Sequence, residues 1–240
     1  MPASAPVDGS ALTTRGRATR DRIVAAAAAL IHEHGVAGTS LDEVRGATAT
    51  SKSQLYHYFA DKSALVRAVI ERQVERVLHA QQPELDSLDS MTGLRRWRDR
   101  MIALNEQNGC AGGCPLGRLT SELADSDPAA RAALTDGFAS WQDRLSTGMR
   151  AMRERGELGA DADPDALALG LLAAAQGGLL LAQATRSVTP VQVALNLALD
   201  GIEARLLQAP EEAARLRAGA VGQLKEPTPG RGVAEAGTTL

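Results

Sequence analysis

Two hundred and forty residues with 44% hydrophobic and 23% charged side chains have the composition of a folded globular chain, which excludes a mainly disordered, collagen-like or disulfide-scaffold protein. A formal charge of −3 excludes a globally basic nucleic-acid binder but hides an asymmetry: residues 1–80 carry ten Lys or Arg against eight Asp or Glu, and the remainder sixteen against twenty-one. That distribution permits a nucleic-acid-facing N-terminal part. Ala and Leu dominate while β-branched and aromatic residues are sparse, so an all-α fold is expected.

Cys110 and Cys114 are too few for a secreted disulfide framework. Residues 1–14 lack the basic-then-apolar pattern of a signal peptide. The most apolar run, Ala166 to Ala182, is about 17 residues long with Gln176 inside it, short of the ~20 that a bilayer crossing needs. A cytoplasmic chain without a membrane span is expected. Residues 1–13 and 208–240 read as disordered tails, the latter with EEAARLRAGA able to extend a helix.

The first helix is expected from about Thr19 to His34, where Ile23, Ala27, Leu30 and Ile31 share one face and Gly35 supplies the stop. Arg15, Arg17, Arg20 and Arg22 crowd its leading edge. In TSLDEVRGA, Ser40 and Glu43 have the spacing of a capping box and open a short second helix. Ser51 and Gln54 repeat the device and open a third, which contains Leu55 and the run Tyr56-His57-Tyr58-Phe59. Two short capped helices joined by a tight turn form a helix-turn-helix pattern over about residues 40–59.

A fourth helix, capped by Asp61, is predicted to about His79, with Pro83 beyond it. Further helices are predicted near 91–108, 115–124, 128–155, 164–184 and 190–207, with Pro115, Pro128, Pro164 and Pro190 in first-turn positions.

A helix-turn-helix reads DNA by laying its second helix in the major groove, with flanking donors on phosphates. Ser51, Lys52, Ser53, Gln54, Tyr56 and His57 give the third helix a polar outward face, while Leu55 and Phe59 point inward. Gln54 suits a bidentate contact to adenine and Tyr56 a thymine methyl or a phosphate; Lys52, His57 and Lys62 suit phosphates.

The string TSLDEVRGATATSKSQLYHYFADKSALVRAVI resembles the N-terminal domain of the tetracycline-repressor (TetR) family of transcriptional regulators, over about residues 16–79. The S-x-x-x-[LIF]-Y-x-[HY]-F and F-x-[DN]-K-x-x-L elements occur in order and in register. The resemblance implies DNA-facing positions for Thr39 and Ser40, for Ser51, Ser53, Gln54, Tyr56 and His57, and for Lys62. Family turns usually read A-G-V-S; here Ala49 stands for the glycine and Thr50 for the buried valine. An alanine at a positive-φ position costs something of order 1 kcal/mol.

The resemblance further implies that residues 14–80 form the DNA-binding domain and 81–207 a ligand-binding and dimerisation domain, the last two helices pairing with their copies in a homodimer. The small residues Gly170, Ala173, Ala174, Gly177 and Gly178, and the stripe Val191, Leu195, Ala198, Leu199, Ile202 and Leu206, suit close helix packing.

Trp97, Met101, Leu104 and Asn105 before the cysteines, and Phe138, Trp141, Leu145 and Met149 after them, are candidate lining for an effector cavity, with Gln142 and Gln176 as polar fixing groups. With no charged cluster in sight, a small uncharged lipophilic effector is favoured. Cys114 precedes a helix N-terminus, whose dipole can lower its pKa. C-P-L-G strings like the one here occur in some family members that respond to drugs, flavonoids or electrophiles, so a thiol sensor using Cys110 or Cys114 is an alternative effector mechanism.

His32, His34, His57 and His79 form no catalytic pattern, and GCAGGC follows a helix, not a strand, so an enzyme is not expected. Two cysteines lack further ligands for zinc, and no cofactor is expected. The expected partners are a palindromic double-stranded DNA operator, a second copy of the chain and a small effector. A helical small-molecule-binding scaffold with no DNA role is the competing class, and steep salt dependence of DNA binding separates the two.

Overall fold

The computed structural model describes residues 12–159 and 161–207. The expected tail before Leu12 and everything after Leu207 lie outside the described residues. The folded body begins at least by Leu12, whose side chain is buried. Thr13 then accepts a hydrogen bond from the Gly16 N–H at 3.2 Å, so α1 spans Thr14–His34 and starts five residues before the periodicity suggests. The early start comes from a local cap that adds no apolar residue to the pattern.

The remaining helices are α2 (Leu41–Thr48), α3 (Lys52–Tyr58), α4 (Lys62–Ala80), α5 (Met91–Gln107), α6 (Pro115–Leu123), α7 (Pro128–Glu154), α8 (Pro164–Thr185) and α9 (Thr189–Glu203). The chain is all-α. Pro115, Pro128 and Pro164 each open a helix, because a residue without an N–H costs nothing where the N–H has no partner. A short 3₁₀ turn, Glu84–Asp86, joins α4 to α5.

The last helix stops at Glu203, short of residue 207. There Leu206 leaves the helix to pair with Leu158 in an isolated antiparallel bridge, with the Leu207 N–H on the Glu157 carbonyl at 2.8 Å. Competing backbone pairing ends the helix before its apolar pattern runs out.

One continuous core runs through the described residues. Ile23, Val24, Ala27 and Ile31 of α1 meet Val44, Leu55, Phe59, Leu65, Val66 and Val69 around the short helices. Trp97, Leu145, Met149, Leu171, Leu195 and Leu199 fill the larger C-terminal part. Helix α4 belongs to both, packing on α1 along one side and on α6 and α7 along the other.

At 22 residues, α8 is longer than its apolar run suggests and by length and composition alone meets the requirement for a membrane span. It packs instead between α7 and α9, with Ala168, Leu171, Leu172, Ala175, Leu179 and Ala182 turned inward.

Candidate nucleic-acid interface and ligand cavity

The turn between α2 and α3 is built from local chemistry. Ser40 Oγ accepts from the Glu43 N–H at 3.2 Å, and Glu43 Oε2 accepts from the Ser40 N–H at 2.6 Å. The Ser40 N–H bond, and after it one that the Ser40 hydroxyl donates to the same Oε2 at 2.8 Å, hold the Glu43 carboxyl below its usual range. Ser51 and Gln54 form the same reciprocal pair, each bond 3.1 Å long.

Ala49 sits in the left-handed region at φ 50°, ψ 35°, where the glycine of the related pattern would rest without strain. Thr50 is buried in place of the valine, and it satisfies its hydroxyl on Thr48 Oγ1 at 2.8 Å, while Thr48 Oγ1 donates to the Val44 carbonyl at 2.8 Å. A polar residue in an apolar slot is thus tolerated by a two-threonine relay.

Leu55 and Phe59 are buried, and Ser51, Lys52, Ser53, Gln54, Tyr56 and His57 are exposed along the opposite face of α3. The Lys52 ammonium lies 6.0 Å from the Tyr56 ring centroid. Lys62 is half-buried at the start of α4.

Two expectations need correcting. Thr39 is 4% exposed and its hydroxyl donates to the Gly35 carbonyl at 2.9 Å, so its side chain braces the α1–α2 turn instead of standing out in solvent. Gln54 is exposed, but its side-chain oxygen is held by the Ser51 N–H, so a bidentate contact to adenine requires the second capping box to open.

In the C-terminal part a cavity of about 400 Å³ opens between α4, α5, α6, α7 and α8. That volume falls within the range of small-molecule sites. Met101, Leu104, Asn105, Cys114 and Trp141 line it as expected from sequence.

Trp97, Phe138, Leu145 and Gln176 lie outside its wall, as do Met149 and Gln142. Trp97 is fully buried with its indole N–H on Gln81 Oε1 at 2.8 Å, and Leu145 and Met149 are core. Phe138 packs against that core, Gln142 donates to the Asp165 carbonyl at 3.3 Å, and Gln176 lies behind the wall beside Cys114.

Sequence reasoning missed the contribution of α4, which supplies Gln73, Arg76, Val77, His79 and Ala80 with Gln81 just past its end, and that of Leu179 on α8. A signal was present: Gln73 and Gln81, eight apart on an otherwise apolar inner face, are both buried.

Cys114 is buried at the N-cap of α6, and burial pushes its thiol up. The Gly117 and Leu116 N–H groups and the nearby Gln176 amide oppose the shift without overcoming it, so the expected lowering by the helix N-terminus does not occur. Cys110 is also buried, at φ 53°, and its sulfur accepts from Asn105 Nδ2 at 3.3 Å. Both thiols are free, and no His, Cys, Asp and Glu cluster suited to a metal occurs among the described residues.

Helix α6 ties this cavity to the short helices. Its first residues line the cavity, while its far end accepts the Val36 N–H on Glu122 Oε2 at 2.6 Å. Between them, Arg118 donates to the His32 carbonyl at 2.8 Å. Just beyond, Asp127 caps α7 and accepts from Ser63 Oγ on α4 at 3.0 Å.

The stripe expected to pair with a second copy is divided by the structure. Val191, Leu195, Leu199 and Ile202 are buried against the chain's own α8 and α5, Gly178 lies hard against Val191 and Pro190, and Leu206 sits in the bridge with Leu158. Gly170, Ala173 and Gly177 do face outward, and beside them Leu169, Leu180, Leu181, Val193 and Leu197 are more than half exposed. Period-3.6 reasoning found apolar helices but could not say which face was inside.

The family model for bacterial regulatory proteins of the tetR family matches residues 23–69, and that for the tetracyclin repressor-like C-terminal domain matches residues 90–198. An uncharacterized HTH-type transcriptional regulator in the lacX 3' region of Lactococcus lactis subsp. lactis is 30% identical over 183 residues, 75% of this chain and 91% of that protein. The HTH-type transcriptional repressor NemR of Escherichia coli (strain K12) is 30% identical over 184 residues, 74% of this chain and 90% of its own.

A crystal structure of E. coli NemR in its reduced form superposes with a TM-score of 0.63 at 25% identity, covering 80% of this chain and 99% of that one. A TetR transcriptional regulator from Chloroflexus aurantiacus J-10-FL gives 0.69 at 26% identity, covering 82% and 100%. With its all-helical architecture, its helix-turn-helix and these matches along both parts, the chain belongs to the TetR family of transcriptional regulators.

Proposed function

We infer that this regulator is a cytoplasmic homodimeric repressor that binds a palindromic operator through its two α3 helices and leaves it when a small, largely apolar effector enters the cavity. The observation that carries the reading is the position of α6, with one end in the cavity wall and the other hydrogen-bonded to the α1–α2 turn. A ligand that repositions α6 moves the element that sets the angle of the DNA-reading helices. It shifts the equilibrium only by its preference for the non-binding conformation.

The outward apolar face of α8 and α9 supports pairing with a second copy, because exposed leucines on adjacent helices are costly to leave in water. Two-fold symmetry then places half-sites about one helical turn or slightly more apart. Ser40, Ser51, Lys52, Ser53, Tyr56, His57 and Lys62 are the residues we assign to DNA, with Gln54 joining them if its cap opens.

The test is fluorescence anisotropy on DNA flanking the coding region, titrated with salt and compared with Tyr56→Ala. Saturable binding that weakens steeply with salt and is lost in the variant supports the reading. Salt-insensitive binding, or none to any selected sequence, supports the scaffold class instead.

One observation favours a second effector mechanism: Cys114 lines the cavity, so an electrophile that enters meets a thiol. The similarity to a repressor crystallised in a reduced form points the same way. Release of operator that survives Cys114→Ser excludes it.

A further inference from the structure

Two buried donors at the cavity have no acceptor. The indole Nε1 of Trp141 and the amide Nε2 of Gln176 are cut off from solvent, and neither has a hydrogen-bond partner among the described residues. Trp141 belongs to the cavity wall, and Gln176 sits behind the wall against the thiol of Cys114. An unpaired buried donor costs about 1–3 kcal/mol, and a small shift of the wall that lets an acceptor from the cavity reach the Trp141 N–H recovers it.

The fixed charge in the wall of the same cavity is positive. Its wall contains Arg76 and His79 and no Asp or Glu. Both are exposed, which places them at the mouth, whereas Trp141, Met101 and Asn105 are buried. Arg76 forms no ion pair among the described residues, and His79 already shares its Nδ1 with Gln82 Oε1 at 2.9 Å. Met101, Leu104 and Leu179 supply apolar wall.

We propose that the effector is an amphipathic organic acid, whose carboxylate pairs with Arg76 at the mouth and whose apolar body carries an oxygen acceptor to the Trp141 N–H. The proposal rests on the cavity being the effector site and replaces the uncharged effector that sequence alone favours. The carboxylate stays at the solvent-exposed rim, where it keeps part of its hydration, and only the neutral part of the molecule is buried. A guanidinium is suited to that task because its donors form a planar fork for a carboxylate.

Three matched probes test it on the full chain: benzoylpropionate, which has both groups; phenylbutanoate, which lacks the ketone; and benzoylpropionamide, which lacks the charge. Binding is read by displacement of Nile red, a neutral dye, and confirmed by thermal shift. Benzoylpropionate is expected to bind at least roughly tenfold more tightly than its amide, since a charge-assisted hydrogen bond is at stake.

Arg76→Gln should erase the advantage over the amide. Trp141→Phe keeps a ring in the wall and should erase the smaller advantage over phenylbutanoate. The melting temperature of each unliganded variant reports its fold.

An amide that binds as well as the acid, or an acid preference that survives Arg76→Gln, overturns the proposal. If Nile red binds and is excluded by Leu104→Trp while none of the three probes displaces it, the organic acid is wrong and the cavity reading stands. If Nile red does not bind at all, the cavity reading fails and takes the proposal with it.

Discussion

In the α2–α3 unit each capping side chain satisfies a group three residues away, whereas the cavity wall draws on side chains from Gln73 on α4 to Leu179 on α8. Where the interactions are local, residue type and spacing suffice to place a side chain. Where they are long-range, residue type identifies an apolar helix but not its neighbours, and side chains of the right kind, such as Trp97 and Leu145, turn out to be core.

The outward face of α8 and α9 gives the largest way to break this contrast, because it too is long-range in origin. A carboxylate at Leu180 or Leu197, which are 66% and 67% exposed in the single chain, should disrupt association while leaving the fold of each chain intact. Operator affinity should fall roughly a hundredfold or more, because burying an unpaired charge in a helix-packed interface is prohibitive and one half-site binds weakly alone. Analytical ultracentrifugation beside anisotropy checks both parts, and a dimer that persists in Leu180→Asp would move the interface elsewhere.

The local side of the contrast is sharpened by Tyr56→Ala. Tyr56 is 44% exposed and is neither in the core nor among the partly buried residues packed against it, so thermal stability should be unchanged. Operator affinity should drop by about 1–3 kcal/mol, or roughly tenfold to a hundredfold. Nile red should bind the variant as it binds the parent chain. A variant defective in both would show that the two regions are not separable.

Much of the fold was legible, and the reasons are specific. The helix starts at Pro115, Pro128 and Pro164 and the two capping boxes follow from backbone groups that a helix end leaves unpaired, a constraint that operates within one turn of sequence. The outward polar side of α3 was legible for a similar reason, since Leu55 and Phe59 fix which face is inside.

Thr39 was misplaced because a threonine hydroxyl is equally suited to solvent or to a carbonyl four residues back, and only the fold of the α1–α2 turn decides. The α9 stripe was misassigned because an apolar stripe does not declare whether it meets its own chain or another. The cavity was half legible: Met101, Leu104 and Asn105 on α5 and Trp141 on α7 were found among neighbours that proved to be core, but α4 had been used up, in sequence terms, by the core it closes.

A smaller effect tests whether the strain seen in the local unit is real. Ala49 at φ 50° is exposed, so its methyl is not part of the core, and Ala49→Gly should stabilise the protein by about 1 kcal/mol. For a chain of this size that is a rise in melting temperature of roughly 2–4 °C by calorimetry. A fall would mean that the lost backbone entropy of glycine outweighs the relief, and the Ala49 conformation costs less than its dihedral suggests.

The smallest expected effect concerns Cys114, and its sign follows from where the thiol sits. Burial raises its pKa above the ordinary 9.0, so the folded chain holds the proton more tightly than the unfolded chain does. The stabilisation this provides is complete below the ordinary thiol value and is lost as pH rises through the elevated folded one. Iodoacetamide, which attacks only thiolate, should therefore label Cys114 in the folded protein more slowly at neutral pH than a free thiol, with labelling rising only at alkaline pH.

Cys114→Ser should leave operator affinity and its release by a non-reactive ligand within experimental error, and should flatten the alkaline limb of the stability profile. Rapid labelling at neutral pH would instead require the α6 N-terminus and Gln176 to outweigh burial. In that case the cavity would present a reactive thiolate to its ligand, and the electrophile mechanism would displace reversible binding.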